Sequence, residues 1–449
     1  MREHTAEPFT EAERMTERRR KRKQSGRRLC GAVVLLCVFL QMLAGGTQAR
    51  AEAEPGGTGN PERSPLRIAV ASDLHLDPDN TDKSQGTEVV YNMELVDALL
   101  WDAKQQGAEM ILLTGDLVNG GKPQRHEALA EKLRKAEQEG LPVYVLPGNH
   151  DLAPVGQTEF ASFYEDFGYA EACSRDPGSL SYCVIRDGVM LLMMDTAGYS
   201  LGAIDLPGAA ARSRNDPFFS EETLQWAEGC LQDAKEKSLT VLAAGHYNLL
   251  PEISRQPGSG YCIENGDRFT ELLRTYGVPL YLSGHMHTRG VYQEEGLTEL
   301  LTEYLLGYPT GYSLLDLSGS TLRYTPRRVD VDAWAAATGQ DDPVLKNFTD
   351  WQQEGLFRYS VSNINYMSER NPITEEEKNN AVGFFYTVMN AFWSGTLSEQ
   401  RARIEAMPGY EPFFRCAEGY AYGWWLKELI RTASPLLKGF TLEIGNPAA

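Results

Sequence analysis

The sequence of 449 residues predicts an α/β domain followed by a smaller helical domain. Two observations predict the α/β domain: strand-length apolar runs alternate with helical patterns up to residue 328, and polar side chains follow several of these runs directly. A third observation concerns the rest of the chain. From residue 329 onward the patterns are helical, and five of the seven Trp residues lie after residue 330.

The α/β domain is predicted to cover residues 66–328. Its strands are expected at 67–72, 109–114, 143–147, 189–195, 239–244 and 279–283. Helices are expected over about 92–106, from Pro123 to Gly140, and from Ser220. Acidic residues in the first turn of the third helix suit the helix dipole. A hairpin with strands at 312–317 and 321–328 completes the domain.

The helical domain is predicted to cover residues 329–449. Thr374 and Glu377 form a capping box, and the helix that follows is expected to end near Gly395. The aromatic residues of this domain are interpreted as core, because a small domain needs bulky side chains to bury enough surface.

The first 51 residues differ in composition from the rest. A basic block at 18–28 precedes an apolar run at 29–43 and the sequence Ala-Arg-Ala at 49–51. This order is typical of a secretory signal peptide with an A-x-A cleavage site. The alternative is an uncleaved membrane anchor, although a bilayer span needs ~20 apolar residues. We therefore expect an exported protein, either extracellular or at the cell surface.

The charge of the chain excludes one class of partner. Cleavage after residue 51 removes 11 basic and 5 acidic side chains and changes the formal charge from −19 to −25. Such an acidic protein is not expected to bind nucleic acid. Residues 52–65 are predicted to be a flexible leader. Contact with a membrane is expected only through the N-terminal segment, if it remains uncleaved.

Five cysteines remain after that cleavage, namely Cys173, Cys183, Cys230, Cys262 and Cys416. Their odd number argues against a complete disulfide framework. Cys173 and Cys183 either pair or remain free thiols.

Five of the seven histidines lie in short motifs that follow apolar runs. The motifs are Asp73-Leu74-His75, Gly115-Asp116, Gly148-Asn149-His150-Asp151, Gly245-His246 and Gly284-His285-Met286-His287. Imidazole nitrogens bind transition metals, and carboxylate and amide oxygens add harder donors. Two Asp, one Asn and four His at one end of a sheet are the ligands that a two-metal hydrolytic centre needs.

The motifs and their order resemble the calcineurin-like metallophosphoesterase superfamily over residues ~66–325. The resemblance implies a four-layer α/β/β/α sandwich and two transition metal ions, such as Fe, Mn or Zn. It implies that the first metal is bound by Asp73, His75 and His287, the second by Asn149, His246 and His285, and both by Asp116.

The same resemblance implies roles in catalysis. A hydroxide shared by the metals would attack phosphorus, and His150 would be the acid that stabilises phosphate charge or protonates the leaving oxygen. Asp151 either orients the His150 ring or caps a turn. Asn119 and Tyr247 are candidate substrate contacts. Alternatively, Asn119 stabilises its loop and Tyr247 is packed structure.

Departures from other branches of the superfamily narrow the substrate class. Asn119-Gly120-Gly121 and Pro147 stand where serine/threonine protein phosphatases carry arginines that clamp phosphate. Asn119 also stands where purple acid phosphatases have a tyrosinate ligand. The motifs are most similar to bacterial class III cyclic nucleotide phosphodiesterases, some exported members of which carry a C-terminal helical domain.

We therefore expect a phosphodiesterase that acts on a small phosphoester, with cyclic nucleotides among its candidate substrates. One alternative is a phosphomonoesterase or 5′-nucleotidase. Another is a surface-binding protein with a vestigial metal site.

Overall fold

The computed structural model describes residues 65–197, 217–250 and 261–444. The predicted signal peptide or anchor, and all but the last residue of the predicted leader, lie outside these ranges. Within the ranges, no helix has both the length and the apolar character needed to cross a membrane.

Two mixed β-sheets form the centre of the α/β domain. The strands are β1 (Leu66–Ala71), β2 (Met110–Thr114), β3 (Val143–Leu146), β4 (Ser174–Arg175), β5 (Tyr182–Arg186), β6 (Val189–Met193), β7 (Thr240–Ala244), β8 (Leu280–Ser283), β9 (Gly290–Glu294), β10 (Leu297–Leu301), β11 (Gly311–Ser318), β12 (Thr321–Arg328) and β13 (Phe440–Glu443). In the described part of the chain, the first sheet has the order β13-β12-β11-β1-β2-β3. The second has the order β4-β5-β6-β7-β8-β10-β9.

Each sheet combines parallel and antiparallel strands: the parallel strands lie at one side of the first sheet and at the centre of the second. Strands β1, β2 and β3 pair in parallel in the first sheet, as do β6, β7, β8 and β10 in the second. The central strands are continuous apolar runs, and β2 and β6 are buried along their whole length. Strands covered on both faces have this composition, which is why the sequence predicted them.

The helices are α1 (Asn92–Gln105), α2 (Pro123–Gln138), α3 (Gly156–Phe163), α4 (Glu221–Glu236), α5 (Gly266–Thr275), α6 (Val331–Thr338), α7 (Phe348–Arg370), α8 (Glu375–Trp393), α9 (Leu397–Glu405), α10 (Tyr410–Cys416) and α11 (Ala421–Thr432). Short 3₁₀ turns lie at Lys83–Gln85, Glu88–Tyr91, Leu345–Asn347 and Pro435–Lys438, and a π-helical turn lies at Glu165–Tyr169.

The layers have the predicted order. Helix α2 contacts β3 and α1 packs beside it, whereas α4 and α5 contact the second sheet. The two sheets meet face to face, where the Tyr182 hydroxyl of β5 donates to the carbonyl of Val145 in β3 at 2.8 Å. The prediction of a four-layer α/β/β/α sandwich followed by a helical region is therefore confirmed.

Local signals account for where the helices begin. Helix α2 starts at Pro123, as predicted. The Ser220 hydroxyl accepts from the Thr223 amide at 3.0 Å at the start of α4. Thr374 and Glu377 exchange both hydrogen bonds of the predicted capping box before α8. These side chains satisfy amide groups that have no partner inside the helix.

The last strand departs from the all-helical domain predicted for residues 329–449. Strand β13 pairs antiparallel with β12 and extends the first sheet. Phe440 and Leu442 alternate with exposed residues, which is the period of a strand that covers one face of a core. The described residues all belong to one compact unit, so the helical region and the sandwich share this sheet.

Candidate metal centre

The loops after five strands bring the seven predicted ligands to one edge of the two sheets. Asp73 and His75 follow β1, Asp116 follows β2, Asn149 follows β3, His246 follows β7, and His285 and His287 follow β8. Since parallel strands end at a common edge, consecutive loops converge there.

The first group of donor atoms comes from Asp73, His75, Asp116 and His287, which all lie within 4.8 Å of one another. His75 Nε2 lies 3.1 Å from His287 Nε2 and 3.4 Å from Asp116 Oδ2. His287 Nε2 lies 3.2 Å from Asp73 Oδ1. The resemblance assigned these same four residues to the first metal.

The second group comes from Asp116, His246 and His285, again within 4.8 Å. His246 Nε2 lies 3.5 Å from Asp116 Oδ2 and 3.2 Å from Asn149 Oδ1. Asp116 is therefore common to both groups, which is the geometry that a bridging ligand requires.

Two buried atoms of these groups have no hydrogen-bond partner among the described residues. They are Asp73 Oδ1 and His285 Nε2. Leaving a buried polar atom unsatisfied is costly, so native proteins rarely do so without a functional reason. Both atoms belong to residues of the two donor groups, so the residues present fit metal ions bound between them.

The charges and burial of the cluster determine which of its donor groups carry a proton. Burial alone would raise the pKa of the Asp116 carboxyl, but His246 and His75 hold it well below its usual range. Burial lowers the pKa of His285 to about 3 and leaves this ring neutral. Burial opposes protonation of His246, yet Asp116 raises its pKa to about 9. A metal ion would replace the proton that this carboxylate attracts.

The backbone around the cluster is strained. Five of the seven ligand residues have a positive φ, namely Asp73 (52°), His75 (40°), Asp116 (49°), His285 (64°) and His287 (53°). The left-handed conformation costs about 1–2 kcal/mol for a residue with a Cβ. Such strain concentrates at functional sites, where the surrounding packing imposes it.

One motif glycine allows two of these loops to approach closely. A Cβ on Gly148 would lie 2.2 Å from the amide nitrogen of Asp116 and 2.3 Å from its Oδ1. Only glycine fits at this distance. The glycine is therefore needed to place the Asn149 loop against the shared carboxylate.

His150 lies beside the donor groups. Its amide donates to Asp116 Oδ1 at 2.8 Å, and its ring Nε2 lies 4.0 Å from Asp116 Oδ2. The ring is half exposed and packs edge-on against His75, with 4.7 Å between centroids. Burial lowers the pKa of His150, although the Asp116 carboxylate opposes this shift.

The Asp151 carboxylate joins two ligand loops. It accepts from the amides of Gly148 (2.8 Å), Leu117 (3.1 Å) and Val118 (2.9 Å). Within the described residues it makes no hydrogen bond to the His150 ring. Of its two predicted roles, this geometry matches the capping role rather than the orientation of His150.

Asn119 and Tyr247, the two candidate substrate contacts, lie where their alternative structural roles predict. The Asn119 side chain donates to Asp77 Oδ2 at 3.2 Å, and the backbone carbonyl of Asn119 accepts from Arg125. Tyr247 is only 1% exposed, and its ring lies 4.1 Å from that of His285. Asn119 thus stabilises its loop, and Tyr247 packs behind a metal ligand.

Two tyrosines at the cluster were not predicted. Tyr304 stacks on His287, with 4.5 Å between centroids and 11° between planes, and lies edge-on to His75. Tyr261 is 44% exposed, with its centroid 5.6 Å from that of His285. Tyr304 follows β10, so the signal that revealed the ligands would have revealed it too, had this strand been predicted.

Two family models match the chain. Residues 66–289 match calcineurin-like phosphoesterase, and residues 330–429 match the C-terminal domain of cyclic nucleotide phosphodiesterase. The chain belongs to the calcineurin-like phosphoesterases and is a metal-dependent phosphoester hydrolase. Both the predicted family and the predicted kind of C-terminal domain are confirmed.

Curated relatives include two cyanobacterial proteins. A probable cyclic nucleotide phosphodiesterase of Synechococcus sp. is 28% identical over 239 residues, which cover 53% of this chain and 78% of the relative. A 3′,5′-cyclic-nucleotide phosphodiesterase of Nostoc sp. is 32% identical over 92 residues, or 20% of this chain and 33% of the relative. Tartrate-resistant acid phosphatase type 5 of Mus musculus is 30% identical over 159 residues, or 34% and 46%.

Proposed function

We propose that the protein is an exported phosphodiesterase that hydrolyses small phosphodiesters, cyclic nucleotides among them, with two transition metal ions. The observation that carries the proposal is the pair of donor groups that share Asp116. The C-terminal match at residues 330–429 and the two cyanobacterial relatives support the cyclic nucleotide class. The signal-like composition of residues 1–51 supports export.

Bound metal ions would polarise the phosphate and activate a water molecule near neutral pH. The protein supplies a separate proton donor. His150 stands next to the shared carboxylate with its ring half exposed, so it can reach a phosphate oxygen on the solvent side of the cluster. We assign it the protonation of the leaving oxygen, a role that general acids perform with rate gains of about 10²–10⁴-fold.

The charges around the cluster favour a diester. The Arg125 side chain pairs with Asp77 at 2.7 Å and Asp79 at 3.1 Å. Arg289 pairs with Glu303. Within the described residues, these two arginines are therefore already paired and do not clamp the second negative charge that a phosphomonoester carries and a diester lacks. The rings of Tyr304 and Tyr261 supply apolar surface beside the metal ligands instead.

The test compares wild type, His150→Ala and Asp116→Ala after reconstitution with Fe, Mn or Zn. Substrates are bis-(p-nitrophenyl) phosphate, p-nitrophenyl phosphate and 3′,5′-cyclic AMP. We expect wild type to prefer the diesters. His150→Ala should keep its metal and lose about 10²–10⁴-fold in kcat on a substrate with a poor leaving group. Asp116→Ala should lose both metal and activity.

Each other outcome selects an alternative. A preference for the monoester would favour a phosphatase, in line with the similarity to the acid phosphatase of Mus musculus. Wild-type turnover by Asp116→Ala would contradict the bridging role. Absence of both bound metal and His150-dependent hydrolysis would leave a binding protein.

A further inference from the structure

Three cysteine thiols lie together at the edge of the second sheet, away from the metal ligands in sequence. Cys173 immediately precedes β4, Cys183 lies in β5 and Cys230 lies in α4. The Sγ atoms of Cys173 and Cys183 are 3.1 Å apart, and those of Cys183 and Cys230 are 3.6 Å apart. Cys183 is therefore in contact with both of the other thiols.

The backbone already holds the first pair in place. The Cys173 amide donates to the Cys183 carbonyl at 2.9 Å, and Ser174 is the cross-strand partner of Cys183. A disulfide needs sulfurs about 2.05 Å apart. Small side-chain rotations suffice to close the remaining distance, because the two strands are already paired.

The three thiols differ in access to solvent. Cys173 is exposed, whereas Cys183 and Cys230 are 1% and 5% exposed. An external oxidant can thus reach Cys173 first. Burial raises the pKa of Cys173 to about 11, so its thiolate is scarce at neutral pH and its reaction will be faster at alkaline pH.

We propose that these three residues form a thiol–disulfide exchange site. Cys173 and Cys183 form the disulfide of the oxidised protein, and Cys230 is the thiol that can replace Cys173 as the partner of Cys183. The inference is independent of the proposed phosphodiesterase activity, because it concerns side chains that take no part in the metal centre.

The oxidant is a disulfide of a low-molecular-weight thiol. The Cys173 thiolate attacks one sulfur of that disulfide, which gives a mixed disulfide and releases one small thiolate. The Cys183 thiolate then attacks Cys173 Sγ and releases the second small thiol. Two protein thiols and one small disulfide become one protein disulfide and two small thiols, so atoms and electrons balance. Attack by Cys230 on Cys183 Sγ would release Cys173 without a further oxidant.

The experiment maps disulfides in the full chain. The protein is incubated with oxidised glutathione or with a reductant, blocked with N-ethylmaleimide, digested and analysed by mass spectrometry. In wild type we expect a Cys173–Cys183 linkage that forms faster as the pH rises toward 9. The oxidised protein should melt about 3 °C above the reduced one, since closing this short loop restricts the unfolded chain.

Single variants test the exchange. Oxidised wild type should also contain a fraction with a Cys183–Cys230 linkage and a free Cys173, which Cys230→Ser cannot form. Cys183→Ser should leave Cys173 as a stable glutathione adduct. Cys262→Ser is the matched control and should behave as wild type. The mapping of wild type needs no variant to fold: alkylation of all three thiols after oxidation, or a persistent glutathione adduct on wild-type Cys173, would overturn the proposal. Absence of any Cys183–Cys230 linkage in oxidised wild type would overturn the exchange role of Cys230.

Discussion

His126 on α2 is a buried histidine whose partners define its protonation state. Its Nε2 lies 3.0 Å from the carbonyl of Asp151 and must donate to it. Its Nδ1, 2.9 Å from the Tyr164 hydroxyl, therefore accepts. Burial lowers the pKa of this ring to about 4, so the neutral form predominates in the folded protein at neutral pH.

This residue makes the stability of the protein depend on pH. In the unfolded chain the pKa of His126 returns to about 6.5, so the unfolded state binds the extra proton between pH 6.5 and 4. The contribution of neutral His126 to the free energy of unfolding is therefore fully present above pH 6.5 and is lost as the pH falls toward 4. The full difference between the folded and unfolded pKa of His126 corresponds to about 3 kcal/mol.

The measurement is urea unfolding of wild type and His126→Gln at pH 4.5 and pH 7. Groups other than His126 titrate in both proteins, so their contributions cancel in the comparison. Wild type should lose more stability between the two pH values, by about 2 kcal/mol. An identical pH dependence in both proteins would show that folding does not lower the pKa of His126.

The sequence predicted the location of individual residues correctly where that location depends only on following the end of a strand. The seven predicted ligands converge because each follows an apolar run, and these runs end at one edge of the two sheets. The roles of Asp151, Asn119, Tyr247 and His126 were not decided by sequence, because they depend on neighbours from other loops. Asp151, for instance, binds amides of Leu117 and Val118, more than thirty residues away in the chain.

At the scale of elements, the ends of β1 and β8 approach each other through Gly284. A Cβ at this position would lie 1.8 Å from Ser72 Oγ and 2.7 Å from Asp73 Oδ2. The His285 amide also donates to Asp73 Oδ2 at 3.0 Å. This contact holds Asp73, which follows a strand of the first sheet, beside His285, which follows a strand of the second.

Gly284→Ala should separate the strand ends and lower metal affinity and activity about 10–100-fold, the size of effect typical when the support of metal ligands is altered. Metal titration and turnover measure it. Gly229→Ala in α4 is the matched control, because its Cβ would meet no atom within 4 Å. That variant should keep full activity and gain up to about 1 kcal/mol of stability. Equal metal affinity in both variants would contradict the prediction.

Elements were predictable where their composition was uniform. The apolar central strands and the hairpin of β11 and β12 lie where the sequence placed them. Strand β10 was missed because Glu299 interrupts its apolar pattern. In the fold this carboxylate is fully buried and accepts from the amides of Leu249 and Leu250, contacts that no local pattern can reveal.

At the scale of the molecule, a buried ion pair connects the sandwich to the helical region. Arg289, two residues beyond His287, pairs with Glu303, and its Nη1 donates to the carbonyl of Trp393 at the end of α8 at 3.0 Å. Both charged side chains are at least 95% buried. Removing one partner from such a pair leaves an uncompensated charge, which is far more costly than exchanging both.

Arg289→Met should therefore destabilise the protein by about 3–5 kcal/mol, and adding Glu303→Gln should recover part of the loss. Denaturant unfolding of the single and double variants measures both effects. A double variant that is no more stable than Arg289→Met would mean that the Trp393 contact, rather than the ion pair, carries the stability.

The division into a sandwich and a helical region was predictable from composition. The strand pairing that joins the end of the helical region to the first sheet was not. The boundary at residue 328 rests on a change of local period, whereas the pairing of β12 with β13 joins residues more than a hundred positions apart. The export predicted from residues 1–51 lies outside the described residues and stays a prediction.

The return of β13 to the sandwich has a consequence for how the protein can be cut. A protein expressed as residues 66–328 alone would lack β13, the strand that pairs with Thr321–Tyr324 of β12. The amide and carbonyl groups on that side of β12 would then have no hydrogen-bond partner in a neighbouring strand. Open edges of this kind recruit other chains and drive aggregation. A soluble catalytic fragment must therefore keep β13, or replace it, so the natural place to shorten this protein is inside the helical region rather than at the boundary drawn on its sequence.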